Sequence, residues 1–405
     1  MQTALASEFK DTSDGREADT ILRTCTHCGF CTATCPTYQL LGDELDGPRG
    51  RIYLIKGLLE GKEAGRATQV HLDRCLTCRA CETTCPSGVA FSRLLDIGRK
   101  HIEAKVQRPP LERLTRYLLR KTLPYPGRFG SVLRLAQWLR PLMPSSLKRA
   151  IPVKTRALPW LQGDHRRKML LFEGCVQPAL APNTNRAAAR VLDRLGILAV
   201  RATAAGCCGA ISHHMAAGDE AQGLARRNID AWWPHIQEGA EAIVCTASGC
   251  GAMIKDYAQI LRKDPNYADK AAQIATMAMD PCEVLGELDL NALTIRPDIP
   301  KRLAFHSPCT LQHAQQLNGI TEALLRRLGF ELTRVPDSHL CCGSAGVYSL
   351  LQRPLARRLL HNKVEALQAD QPALIATANI GCQMYMQQAA DVPICHWIEL
   401  LDPQQ

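Results

Sequence analysis

The chain has 405 residues, a formal net charge of +10 and 19 cysteines. This length predicts two or three domains with separate cores. No apolar run approaches the roughly 20 residues that cross a bilayer, and the N-terminus lacks the basic and then apolar pattern of a secretory signal. We therefore expect a cytoplasmic protein with reduced thiols, which excludes a disulfide framework.

The positive charge is concentrated in one segment. Between Arg99 and Lys168 there are 18 Lys or Arg and 3 Asp or Glu, so this stretch carries +15 and the remainder sums to −5. The segment lacks regularly interleaved aromatic residues and any recognised nucleic-acid motif, so we expect no nucleic-acid partner. A membrane surface or an acidic partner subunit fits the charge better.

Two cysteine runs of identical spacing lie in the N-terminal quarter: CTHCGFCTATCP from Cys25 and CLTCRACETTCP from Cys75. In the pattern C-x2-C-x2-C-x3-C-P, three close thiolates bind one [4Fe-4S] cluster, and the fourth leaves toward a neighbouring cluster because proline ends the local helix. The assignment is Cys25, Cys28, Cys31 and Cys85 for the first cluster, and Cys75, Cys78, Cys81 and Cys35 for the second. Zinc sites are the alternative, but they pair two C-x2-C units across a spacer.

Helical periodicity surrounds both runs. Residues 1–16 are polar and expected to be flexible, and an apolar stripe begins near Glu17. PRGRIYLIKGLLEG between the runs is opened by Pro48, and FSRLLDIGRKHIEAKV follows the second run. We therefore predict a mostly α-helical two-cluster domain over residues 17–106.

Residues 107–168 form a basic connector punctuated by prolines. Its segments LERLTRYLLRKTL and SVLRLAQWLRPLM are predicted amphipathic helices with leucines on one side and arginines on the other. Two interpretations remain open: the helices pack on their own protein, or they dock to a membrane or another subunit. In the second case, changing Arg113, Arg116, Arg120 and Arg140 to Glu would release the protein.

The remainder of the chain is duplicated, with repeats predicted over 169–297 and 298–405. Each half alternates short apolar strands with amphipathic helices, which is typical of a parallel sheet covered by helices. The cysteines of the first half map onto the second at offsets of 134 and 132: Cys175, Cys207, Cys208 and Cys250 onto Cys309, Cys341, Cys342 and Cys382. Constant spacing of this kind indicates a duplicated domain.

Each of these cysteine groups follows a predicted strand, so all should lie at the carboxyl edge of a sheet, where ligands bind. The first four are therefore a candidate third metal centre and the second four a candidate fourth. Structural cysteines and thiol-disulfide chemistry are the alternatives. Cys245, Cys282 and Cys395 have no counterpart in the other repeat and are expected to pack in cores. No catalytic residue is expected on this chain.

The two Cys-Cys-Gly units resemble the cysteine-rich CCG domains of heterodisulfide reductase and its relatives. Joined to a helical two-cluster ferredoxin domain, they resemble the iron-sulfur subunits of respiratory glycolate, lactate and anaerobic glycerol-3-phosphate dehydrogenases. Strings such as TASGCGA and DSHLCCGSAG are most similar to the glycolate oxidase iron-sulfur subunits.

The resemblance implies an FAD-binding partner that oxidises glycolate to glyoxylate, while this chain passes electrons toward the quinone pool at the inner face of the cytoplasmic membrane. The sequence agrees with this division, because no G-x-G-x-x-G follows a predicted strand and the flavin is expected on another polypeptide. A catalytic disulfide site in the CCG repeats and a purely structural role for the clusters are the other hypotheses.

The sequence departs from heterodisulfide reductase at one position in each repeat. There the CCG unit ends in C-x2-C and binds a noncubane cluster through five thiolates, whereas here Ala247 and Asn379 stand three residues before Cys250 and Cys382. Four thiols per repeat remain. A four-ligand cluster, a metal-free repeat and a site in only one half are therefore all open.

Overall fold

The computed structural model describes residues 1–160 and 163–402, without the side chains of 145–147. Residues 161–162 of the predicted connector and 403–405 of the predicted second repeat lie outside the described residues. The chain groups into two compact units, each built from separate stretches. The first unit comprises residues 1–118, 214–216 and 339–363, and the second comprises the rest of the described chain.

The first unit is helical, as the periodicity predicts. Its helices are Ser7–Lys10, Ser13–Thr24, Pro36–Leu41, Pro48–Leu59, Arg66–Asp73, Ala80–Thr83, Phe91–Lys105, Pro110–Thr122, Tyr348–Leu351 and Arg353–Gln368. Pro110–Thr122 and Arg353–Gln368 continue into the second unit. Phe30–Thr32 and Glu44–Asp46 are 3-10 turns. Gly98 lets two of these helices pack closely, because a Cβ there would lie 2.6 Å from the Cγ1 of Ile55. Pro48 occupies the first turn, where its missing N-H costs no helical hydrogen bond.

The N-terminal residues differ from the sequence prediction, since they pack on the first unit rather than standing free. The amino group of Met1 donates to the carbonyl of Cys25 at 2.9 Å, and the amide of Ala6 donates to Leu59 at 2.9 Å. Phe9 is buried and contacts the His101 ring edge-on at 4.9 Å. A single large apolar side chain in a polar segment is enough to anchor it.

The second unit contains two parallel four-stranded sheets, which confirms the predicted α/β repeat. The strands are β1 (Arg167–Leu171), β2 (Ile197–Val200), β3 (Ile243–Val244), β4 (Ala278–Met279), β5 (Arg302–His306), β6 (Glu331–Leu332), β7 (Ile375–Thr377) and β8 (Ile394–His396). Their orders, β2-β1-β3-β4 and β6-β5-β7-β8, are the same in the two halves. The sequence pattern does not predict β4 and β8, which are two and three residues long.

Helices separate the strands of the second unit. They are Pro126–Leu139, Ser145–Ala150, Gln177–Leu180, Pro182–Arg194, Ala210–His214, Gly218–Gln237, Ser248–Lys255, Tyr257–Ile260, Ala268–Met277, Pro281–Gly286, Ile320–Arg327 and Ile380–Met386, with a π-helix at Thr310–Ala314 and 3-10 turns at Arg140–Leu142 and Trp397–Leu401. One apolar core joins the repeats, including Met169 of the first sheet and Phe305 of the second. Cys245 and Cys282 are buried in cores and Cys395 packs against one, as predicted.

A buried carboxyl in the second unit predicts a pH-dependent stability. Asp280 accepts a hydrogen bond from the Cys282 amide at 3.0 Å, and burial raises its pKa to about 7. Because this pKa lies above the unfolded value of about 4, the native state favours the protonated acid, and its stability falls as the pH rises through 7. We expect Asp280→Asn to keep the helix cap and to raise the melting temperature mainly above pH 7, by an amount equivalent to roughly 1–3 kcal/mol.

Thermal melts at pH values from about 5 to about 8 measure this effect. Asp289→Asn is the control, because Asp289 is exposed and makes a similar local turn contact with the Asn291 amide. Parallel melting curves for the wild type and Asp280→Asn at every pH would contradict the prediction.

Candidate iron-sulfur centres

The two N-terminal cysteine runs border two cavities in the first unit. One cavity is lined by Cys25, Cys28, Cys31 and Cys85, and the other is lined by Cys35, Cys75, Cys78 and Cys81. The fold therefore brings together the same two quartets that the spacing predicts, with the fourth cysteine of each run beside the three of the other. Cys81 borders both cavities, so they are adjacent.

The loops achieve this by turning at matched positions. His27 and Gly29 in the first run have φ values of 59° and 87°, and Thr77 and Arg79 in the second have 56° and 60°. A left-handed conformation costs a non-glycine residue about 1–2 kcal/mol, so three of these positions hold strain. The tight turns point backbone N-H groups inward; the Thr77 amide already donates to the Cys75 sulfur at 3.4 Å.

Buried thiols with raised pKa values line the cavities. Burial raises the pKa of Cys31 to about 11 and that of Cys81 well above its usual value. These two thiols are therefore neutral near pH 7, and ligation must displace their protons. Soft sulfur donors gathered in groups of four fit [4Fe-4S] clusters, whose irons prefer thiolate.

A hydrogen-bonded network supports Cys35 beside the second cavity. The Cys35 sulfur lies 3.3 Å from the Thr37 hydroxyl, which accepts a hydrogen bond from Arg51 at 3.1 Å and donates to the Asp46 carbonyl at 2.7 Å. All four residues are buried. Outer groups of this kind orient a ligand and tune the charge that it feels.

The charge around this network is positive on balance. The buried Asp46 carboxylate contacts Arg74 at 2.7 Å, Arg51 at 3.5 Å and the His71 ring at 3.0 Å. Arg51 also lines the second cavity, and Arg49 lines the first. Two guanidinium groups facing one carboxylate leave excess positive charge next to a site where thiolates and sulfides must gather.

The first CCG quartet also converges, at the carboxyl ends of β1, β2 and β3. The Cys207 sulfur accepts hydrogen bonds from the thiols of Cys175 and Cys208, and Cys208 in turn contacts Cys250. These hydrogen bonds, helped by the positive charge of Arg227, hold the pKa of Cys207 well below its usual value. Cys207 is thus hydrogen-bonded to two thiols of the same quartet.

Two buried side chains clamp the Cys207–Cys208 backbone, and sequence reasoning missed both. Asn228 accepts from the Gly206 amide at 2.8 Å and donates to the Cys207 carbonyl at 2.9 Å. The Tyr257 hydroxyl donates to the Cys208 carbonyl at 2.9 Å. Both lie in helices more than 20 residues further along the chain, and no local pattern marks them as partners of a cysteine loop.

The second CCG quartet is divided between the two units. Cys309 precedes the π-helix and Cys382 lies in the helix after β7, both in the second unit, whereas Cys341 and Cys342 are buried in the first. Gly343 has a φ of 85°, close to the 92° of Gly209, so the Cys-Cys-Gly turn has the same form in both repeats.

The positions that depart from heterodisulfide reductase are the N-caps of the helices carrying the last cysteine of each repeat. Ala247 precedes Ser248–Lys255, and the Asn379 side chain accepts from the Gly381 amide at 3.2 Å in front of Ile380–Met386. Neither side chain supplies a sulfur, so the repeats offer four thiols each.

Comparison with known proteins finds family matches in the N-terminal part and in both repeats of the chain. Residues 21–89 match the 4Fe-4S dicluster domain family, and residues 169–255 and 303–387 match the cysteine-rich domain family CCG. The chain is 57% identical over 403 residues to the glycolate oxidase iron-sulfur subunit of Escherichia coli K12, covering 99% of this chain and 98% of that protein.

More distant relatives follow the same pattern. The probable glycolate oxidase iron-sulfur subunit of Bacillus subtilis is 29% identical over 412 residues, covering 95% of this chain and 91% of that protein. Lactate utilization protein A of Bacillus velezensis is 28% identical over 248 residues, covering 58% of this chain and 99% of that protein.

Because the fourth cysteine of each run lies beside the first three of the other run, substitutions in different runs should affect the same centre. We expect Cys85→Ser to alter the EPR signal that Cys28→Ser alters, because both side chains line the first cavity, although Cys85 belongs to the second run. Cys78→Ser should alter the other signal. Cys395→Ala is the control and should leave both unchanged. If Cys85→Ser and Cys78→Ser alter one and the same signal, Cys85 does not belong to the first centre and the prediction is wrong.

The Thr37 hydroxyl predicts a shift in reduction potential. The Thr37 hydroxyl donates its one proton to the Asp46 carbonyl and holds Arg51 beside Cys35, so Thr37→Val acts through the guanidinium. Losing about 1 kcal/mol of its stabilisation of the thiolate lowers a one-electron potential by roughly 40 mV. Potentiometric EPR should show this decrease for the second centre only. Thr20→Val is the control, since its hydroxyl bonds only to the Arg16 carbonyl within a helix. An unchanged second potential would contradict the role of Thr37.

Proposed function

Because the chain belongs to the family of glycolate oxidase iron-sulfur subunits, we propose that it is the electron-transfer subunit of a glycolate dehydrogenase complex. It accepts electrons from an FAD-binding partner that oxidises glycolate to glyoxylate, and it passes them toward the quinone pool. The observation that carries this proposal is the pair of adjacent cavities, each lined by four cysteines of the predicted quartets.

The residues of the first unit have separable tasks in this function. Cys25, Cys28, Cys31 and Cys85 hold one [4Fe-4S] cluster, and Cys75, Cys78, Cys81 and Cys35 hold the other. Bound clusters supply two neighbouring one-electron acceptors and donors. The strained loops fix the thiols in position, while Arg49 and Arg51 offset the negative charge of the sulfur ligands.

The CCG repeats are proposed to hold further metal centres. Cys175, Cys207, Cys208 and Cys250 are the ligands of the third, supported by their thiol contacts and by the Asn228 clamp. Cys309, Cys341, Cys342 and Cys382 are the ligands of the fourth, supported by the repeated Cys-Cys-Gly turn. Ala247 and Asn379 favour four-thiolate centres over noncubane clusters.

The complex is proposed to work at the inner face of the cytoplasmic membrane, where quinone is available. In the described part of the chain, no helix has both the length and the apolar character needed to cross a membrane. The flavin is assigned to the partner, because no dinucleotide-binding glycine motif follows a strand of this chain.

Two other candidate functions have specific support. The likeness to lactate utilization protein A of Bacillus velezensis favours lactate, another 2-hydroxy acid, as the substrate of the complex. The resemblance to the anaerobic glycerol-3-phosphate dehydrogenases offers glycerol 3-phosphate as a further substrate. The acidic Cys207 thiol, in contact with Cys175 and Cys208, favours a disulfide reductase site. Turnover of a small disulfide by the isolated chain would select the second.

The electron path is tested in the complete complex reduced with glycolate. We expect Cys78→Ser to leave flavin bleaching by glycolate intact and to lower quinone reduction at least about tenfold, because the break lies after the flavin. Stopped-flow absorbance measures both steps, and Cys395→Ala is the control. A Cys78→Ser complex whose flavin no longer bleaches, or whose quinone reduction is normal, contradicts the proposed division. Bleaching by L-lactate but not glycolate would change the substrate.

A further inference from the structure

The connector helix Pro110–Thr122 is amphipathic, but its apolar side is exposed and its polar side is turned toward the protein. Two of its three arginines face protein, since Arg116 lies 3.8 Å from Asp73 in the first unit and Arg120 lies 3.4 Å from Glu220 in the second, whereas Arg113 is exposed. Its apolar side chains face outward, with Leu111 76% exposed and Leu118 53% exposed. A surface helix ordinarily buries its apolar stripe and exposes its charges, so something other than water is expected to cover this one.

The next helix, Pro126–Leu139, repeats the anomaly within the second unit. Leu133 faces inward and is buried. Val132, Leu135 and Trp138 follow one another at helical spacing on the opposite side, and Trp138 is 76% exposed. Leu142, in the 3-10 turn that follows, is 85% exposed. This helix is therefore apolar on the face that it buries and also on the face that it exposes.

Three of the four arginines first considered for docking are engaged within the protein, and the fourth, Arg113, is exposed. Arg116 and Arg120 are engaged in ion pairs, and the Arg140 side chain donates to the carbonyls of Lys148 and Ile151 at 3.3 and 3.1 Å. These cations stabilise the connector from within. A contact surface on this segment can therefore use the outward leucines and the exposed cations Arg113, Arg128 and Arg134.

The charge of the segment indicates what would cover the apolar faces. From Arg113 to Gly163 there are 11 Lys or Arg and no Asp or Glu. Exposed leucines accompanied by a tryptophan and a tyrosine, on short helices in a strongly basic segment, are typical of helices that lie in the headgroup region of an anionic bilayer. An acidic protein surface would match the charge, but a tyrosine and a tryptophan, each with an apolar ring and a polar tip, suit the boundary between acyl chains and headgroups better.

We propose that two apolar faces of the connector contact an anionic lipid bilayer directly. The first face consists of Leu111, Leu114, Tyr117 and Leu118, and the second of Val132, Leu135, Trp138 and Leu142. Each helix lies in the plane of the interface, with its leucines at the acyl boundary and nearby Lys and Arg on the headgroups. This proposal rests on the proposed function in one respect: quinone, which accepts the electrons of the complex, is dissolved in the bilayer.

Flotation of the full chain, reconstituted with iron and sulfide, with lipid vesicles tests the contact. We expect flotation with vesicles of phosphatidylcholine and phosphatidylglycerol but not with phosphatidylcholine alone. The double variants Leu114→Gln/Leu118→Gln and Leu135→Gln/Trp138→Gln should each bind at least about tenfold more weakly. The matched control is Ile320→Gln/Leu350→Gln, which alters exposed apolar residues elsewhere and should float normally. Absorbance near the cluster bands verifies that every variant is folded.

Two results would overturn the lipid contact: a wild-type chain that stays with the protein fraction, and variants that float as the wild type does. Variants that keep vesicle binding but lose the FAD-binding subunit would assign the faces to a protein partner instead. The proposed function is judged separately, by reduction of a soluble dye with glycolate, which the variants should retain. If the wild-type complex fails that assay yet its chain floats, the proposed function is wrong and the lipid contact stands.

Discussion

The structure depends on one geometric constraint, which is that eight thiols from two distant runs must meet as two mixed quartets. Each run keeps three thiols in one cavity and sends its fourth to the other, so neither cavity is complete without both runs. The helices Pro48–Leu59 and Phe91–Lys105 fix the runs relative to each other, and Gly98 allows their close approach beside Ile55. The packing of the helical unit therefore follows from the ligand requirement as much as from apolar burial.

The two kinds of cysteine site are supported by different means. At the N-terminal cavities, strained loops and a buried Asp46–Arg51 pair position the thiols and set the local charge. At the first CCG quartet, the clamp of Asn228 and Tyr257 holds the backbone, and the thiols contact one another directly. The second arrangement brings thiols into mutual contact, which is why a disulfide reaction is a candidate function there, whereas the first places each quartet around a cavity.

Much of this could be predicted from the sequence because the relevant signals are local. Cysteine spacing gives the quartets, helical periodicity gives the flanking helices, and constant offsets give the repeat. The missed features depend on contacts between distant residues. Phe9 packs a polar terminus against His101, and Asp73 and Glu220 draw Arg116 and Arg120 inward, which the amphipathic pattern alone does not show. Periodicity shows that a helix has two faces; it does not show which of them is covered.

The most direct measurement of the central claim is a reductive titration of the full chain, purified without oxygen, monitored by EPR together with iron and zinc analysis. Two [4Fe-4S] centres in cavities that share Cys81 as a border must lie close enough to couple magnetically. The account predicts at least about eight iron atoms per chain and reduced signals broadened by spin-spin interaction. Bound zinc in place of iron, or two signals with no mutual broadening at full reduction, would contradict it.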